Sequence, residues 1–107
     1  MTELEVLLLE EAYRRYRQFG FPSPEAIVVV RRVFDDCGRY TYLSHPGLID
    51  IADGMIPLAQ VDLGGGKFLI VANLHVVDRS IEFIELMVAG ELVWNGDEPN
   101  PMVLLTE

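Results

Sequence analysis

Cys37, His45 and the acidic pair Asp35/Asp36 are the residue types of a thiolate–imidazole nucleophile, in which a nearby imidazolium lowers the pKa of the thiol. The two carboxylates beside the thiol act the other way, raising its pKa, and no cysteine-enzyme signature surrounds it. The favoured reading of Cys37 is an ordinary turn or half-buried cysteine. His45, Asp50, Asp53, His75 and Asp78 could ligate a hard or borderline metal. The two histidines lie thirty residues apart, however, without the H-x-x-x-H or H-E-x-x-H spacing, and Asp50-Ile-Ala-Asp53 lacks the alternating ligands of a calcium loop. No metal and no cofactor are expected.

Glu82/Glu85 and Asp35/Asp36 are paired carboxylates of the kind that general acid–base chemistry uses, but catalysis depends on separations that sequence does not supply. Leu63-Gly-Gly-Gly-Lys67 resembles a phosphate cradle only in its glycines. Lys67 is followed by Phe-Leu-Ile-Val rather than by Ser or Thr opening a helix, so a hairpin turn is expected.

Two surfaces remain as candidates. The chain carries 17 acidic and 8 basic side chains, for a net charge of -9. From residue 80 onward there are Glu82, Glu85, Glu91, Asp97, Glu98 and Glu107 and no Lys or Arg. Such a surface repels nucleic acid and anionic membranes and attracts basic partners. Glu82, Glu85, Glu91, Trp94, Asp97 and Glu98 are therefore the candidate contacts for a basic protein, with Trp94 as an aromatic anchor. The alternative is a small-molecule or enzymatic pocket between helix and sheet, lined by Tyr13, Tyr16, Tyr40 and Tyr42 with His45 or His75. Catalysis is the less favoured of the two readings, and no catalytic residue is assigned.

The elements that must position these residues follow from periodicity. Thr2 and Glu5 form a capping-box pattern, and Leu4, Leu8, Ala12, Tyr16 and Phe19 recur at helical spacing up to Gly20, which predicts an amphipathic helix over about 3–19. Glu residues crowd its first half and Arg14, Arg15 and Arg17 its end, as the helix dipole favours. Residues 21–34 suit either a Pro-initiated helix or a β-branched strand, and strand is preferred. Strands are also expected at 40–43, 56–63 and 67–77. Residues 81–88 suit either a helix capped by Ser80 or a strand entering a hairpin at Ala89-Gly90 with 91–94 returning, and the hairpin is preferred; 102–105 is read as a last short strand.

The expected fold is α+β: one N-terminal amphipathic helix on a mostly antiparallel sheet of five or six strands, a single domain over 1–107 with an acidic tail from about 95. A helix of that length spans only part of such a sheet, so a second copy is the expected cover and a homodimer the expected state. One cysteine, an N-terminus without a basic signal region and apolar runs of at most five residues imply a reduced, cytoplasmic setting without a membrane span.

Overall fold

The computed structural model describes residues 1–35, 37–63, 69–89, 94, 96–98 and 102–105. The turns expected at 64–66 and at Gly90, the returning segment expected with Glu91, and the candidate residue Asp36 lie outside the described residues. The expected α+β architecture is the observed one: a helix, α1 (Glu3–Tyr16), packs on a six-stranded antiparallel sheet. The strands are β1 (Val28–Asp35), β2 (Gly38–Ser44), β3 (Gly54–Asp62), β4 (Leu69–Val77), β5 (Ser80–Val88) and β6 (Val103–Leu105). Their order across the sheet is β1-β2-β5-β4-β3-β6.

α1 starts where the sequence says it should. The Thr2 hydroxyl accepts the Glu5 amide at 3.2 Å, and the Glu5 carboxylate accepts the Thr2 amide at 2.9 Å, closing the capping box. The chain tightens into a 3-10 turn at Arg17–Phe19 and ends on Gly20 in the left-handed region. The ambiguous stretch after it contains both alternatives in succession: a Pro-initiated 3-10 turn at Pro24–Ala26, then the β-branched strand from Val28. Residues 80–88 form a strand, as preferred.

Asp78 and Arg79 join β4 to β5 with φ of 52° and 58°, a backbone region that side chains disfavour. Surrounding bonds hold the turn. Arg79 accepts the Ile49 amide (2.9 Å), its amide donates to Asp53 Oδ1 (3.2 Å), and its Nε donates to Ile49 O (3.0 Å).

Leu4, Leu8, Leu9 and Ala12 of α1 are buried in one core with Ile70, Ala72 and Leu74 of β4 and Ile84 and Leu86 of β5. One face of the sheet thus lies under the helix. Leu8→Ala should lower the unfolding free energy by about 2–5 kcal/mol, because the vacated volume is only partly refilled. Urea denaturation measures this, and a cost near zero would mean that Leu8 does not pack as described.

Candidate functional site

The alternation of side chains along strands sorts the candidate residues onto two faces. On the face under α1, β2 places Arg39, Thr41 and Leu43, all buried. Tyr40 and Tyr42 therefore point to the opposite face, whereas Tyr13 and Tyr16 of α1 pack against the core. The four tyrosines do not meet, and the expected pocket between helix and sheet is replaced by a filled core. A depression of about 530 Å³ instead lies at β3, with Arg15, Pro57, Leu58, Gln60, Asn73 and Leu105 among its walls and no tyrosine. Arg15 is already engaged there, donating to Pro57 O at 3.3 Å, Leu58 O at 2.6 Å and Glu11 at 2.9 Å.

The other candidates disperse as well. Cys37 and His45 stand at opposite ends of β2, separated by roughly 23 Å of strand, so they form no nucleophilic pair. His45 Nε2 accepts the Ile81 amide at 3.0 Å and lies 3.4 Å from Ser80 Oγ, tying the loop after β2 to the start of β5. Among the described residues no group of three or more His, Cys, Asp or Glu could hold a metal ion. Asp50 and Asp53 contact Arg79 instead.

The acidic C-terminal residues divide between inside and outside. Trp94 is only 5% exposed, with its indole N–H donating to Asp97 O at 2.9 Å and Arg39 stacked 5.2 Å from its ring. Glu98 accepts the Leu4 amide and an Arg39 N–H, both at 2.9 Å. Neither is placed as a surface anchor. Glu82 and Asp97 are exposed, Glu85 lies on the far sheet face, and Glu91 is outside the described residues.

Arg39 and Glu98 belong to a buried charge cluster that sequence reading missed. Glu5, with 0% exposure, accepts two bonds from Arg32 (2.8 and 2.7 Å) and one from the Thr41 hydroxyl (2.8 Å), with Arg39 at 3.4 Å. Burial raises the pKa of Glu5, but hydrogen bonds from Arg32, the Thr2 amide and Thr41, with the charge of Arg39, outweigh it and hold the carboxyl at about 2. The signal was present: Glu5 shares the helix stripe of Leu8, Leu9 and Ala12, where a carboxylate needs a partner. Every carboxylate oxygen of Glu5 is engaged, so the cluster fastens α1 to β1 and β2, and Arg39 Nε is its one buried nitrogen without a hydrogen-bond partner among the described residues.

The remaining constellation lies on the sheet face away from α1. The register aligns Arg31, Tyr42, Phe83, His75 and Met55 in one row across five strands. The Arg31 guanidinium lies 4.3 Å from the Tyr42 ring centroid, Tyr42 and Phe83 are 5.2 Å apart, and His75 stacks on Phe83 at 4.3 Å. The next row is Val33, Tyr40, Glu85, Asn73 and Pro57. A third holds Gly38, Met87, Val71, Gln60 and Leu105. Glu85 accepts from Asn73 at 3.2 Å and faces His75 at 3.6 Å. The Tyr40 phenol is pushed up by burial and then by the charges of Asp35 and Glu85, which keeps it protonated and makes it a hydrogen-bond donor rather than a base. Arg31, Phe83, Met87 and Met55 were not singled out from sequence. The alternation of Phe83, Glu85 and Met87 with Ile84 and Leu86 was the available sign of a second semi-apolar face.

No protein-family model matches this chain, and neither a curated protein nor a solved structure matches it.

Proposed function

We propose that this chain is a non-catalytic protein-interaction module whose binding surface is the sheet face opposite α1. The observation that carries this reading is the row Arg31–Tyr42–Phe83–His75–Met55, flanked by Tyr40, Met87 and Val71, with no element of the described chain packed over it. Stacked aromatics with a cation at one end bury large area at little conformational cost, the composition of binding hot spots. In a chain with 17 acidic residues this face holds Glu85 near its middle and Asp35 and Asp62 toward its rim. The chemistry fits an apolar or aromatic partner surface better than a strongly basic one, because Trp94 and Glu98 are engaged within the molecule.

Peptides selected from a random library against the native chain test the reading. Backbone amide shifts in two-dimensional NMR are expected to cluster on Tyr40, Tyr42, His75 and Phe83. Phe83→Glu should weaken binding by about 30-fold, the loss of one hot-spot contact near 2 kcal/mol. Affinity should change little with ionic strength. Shifts centred on Glu82 and Asp97, with a steep salt dependence, would return the function to the acidic surface and overturn this one.

A further inference from the structure

β1 forms one edge of the sheet, and its apolar side chains are unusually open: Val28 and Val30 are 62% exposed and Phe34 is 56% exposed. Edge strands present unpaired backbone N–H and C=O groups and are ordinarily protected by Pro, by inward charges or by a covering element. β1 contains no Pro; a bulge at Val30, between Val29 and Arg31 in the pairing with β2, interrupts one end of the edge, and its inward charge, Arg32, is neutralised by Glu5. Beyond that bulge the strand is regular from Arg31 to Asp35, where the Asp35 carboxylate accepts the Cys37 and Gly38 amides at 2.9 and 2.8 Å and closes the turn. The regular run therefore has bounded ends, and its midpoint is Val33.

We infer that a second copy of this chain pairs with β1 in antiparallel fashion, with the two-fold axis at Val33, so that the two sheets become one continuous sheet. The sequence of the run is complementary to itself in this register. Arg31 stands opposite the partner's Asp35, and Asp35 opposite the partner's Arg31, with the two Val33 side chains between them. On the other face Arg32, held by Glu5, stands opposite the partner's Phe34 and offers its aliphatic stem to a ring that is exposed in the single chain. Two copies of a chain with net charge -9 repel each other over most of their surface. This edge is where they can meet with opposite charges paired, each such cross-strand pair being favourable. Arg31 lies flat on the Tyr42 ring, which leaves the edge of its guanidinium able to reach a carboxylate.

The contact is small against the roughly 1,200 Å² of a stable interface, so the dimer is concentration-dependent. It leaves both open faces side by side and draws on their β1 margin, Arg31, Val33 and Asp35, while pairing none of Tyr42, Phe83 or His75.

Sedimentation velocity over a concentration series reads the association. The wild type is expected to dimerise, and Arg31→Glu and Asp35→Lys are each expected to weaken dimerisation about tenfold or more, since each sets like charges opposite one another twice. Mixing the two variants in equal amounts should restore the dimer, because in that mixed pair both contacts join opposite charges. Should Asp35→Lys fail to fold, as circular dichroism would show, V33C/C37S decides: it should oxidise to a disulfide-linked dimer, since directly opposed residues bring Cβ atoms to about 5 Å, whereas V28C/C37S should not. A monomer at every concentration, a dimer indifferent to both charge substitutions, or no cross-link at position 33 would overturn the inference. Phe83→Glu should leave the dimer intact, so failure here and failure of the open-face reading are told apart.

Discussion

Glu5→Gln should cost about 3–5 kcal/mol of folding free energy, a large share of the ~5–15 kcal/mol that holds a domain together. The substitution keeps the shape of the side chain and removes the charge that Arg32, Arg39 and Thr41 converge on. Arg39, almost fully buried, keeps Glu98 as a counter-ion, while Arg32 loses its only carboxylate partner within 4.0 Å among those described. The cost is therefore mostly that of cations left under-compensated, and less the intrinsic worth of the ion pairs. Its pH dependence identifies it. The Glu5 carboxyl is held at about 2 in the folded chain against an ordinary value of 4.5, so it contributes about 3 kcal/mol that is complete above pH ~4.5 and is lost as the pH falls through about 2. Chemical denaturation of wild type and variant should show a gap that is full at pH 7, narrower at pH 3 and nearly closed at pH 2. An equal gap at pH 7 and pH 2 would show that Glu5 acts by packing and not by charge.

The second large effect is expected at a residue with no side chain. In β2, a Cβ on Gly38 would lie 1.9 Å from the carbonyl oxygen of Leu86 and 2.9 Å from its carbonyl carbon. Both are backbone atoms of a central strand, so no rotamer change relieves the overlap. β2 would have to move away from β5, breaking the ladder from Gly38↔Met87 to Tyr42↔Phe83 that crosses the candidate surface. Gly38→Ala should thus cost at least the ~3 kcal/mol upper end of ordinary overpacking and lower the melting temperature by more than ~12 °C. Gly47→Ala provides the control: its φ of 74° strains any side chain, but nothing lies within 4 Å of the new Cβ. It should cost only about 1–2 kcal/mol of backbone strain. If the two alanine variants melted together, steric approach at Leu86 would not be what requires glycine at position 38.

These two residues also mark where sequence reading stops. The capping box, the helical stripe and Gly20 are local patterns whose physics acts within four residues, and α1 was legible from them. So were the antiparallel strands, because β-branched and aromatic runs bounded by turn formers suit extended chain and little else. The α+β class followed from one such helix and several such strands. Gly38 could be read as a turn residue, but its contact with Leu86 spans the crossing of β5 between β2 and β4, which no local pattern specifies.

The candidate site was less legible for the same reason. Alternation along β2 and β5 says that residues fall on two faces, yet the choice of which face the helix covers is made only when α1 docks. That choice separated Tyr40 and Tyr42 from Tyr13 and Tyr16, and it gathered Arg31, Phe83 and His75 from three strands into one row. Likewise the acidity of the last third of the chain is a property of composition. The commitment of Trp94 and Glu98 to Arg39 and Leu4, the latter 94 residues away in sequence, is a property of the folded chain alone. Sequence by itself determined which local structures are cheap to form and how much charge they carry. Tertiary structure decided which side chains share a surface, because that depends on contacts between segments whose separation along the chain carries no local signal.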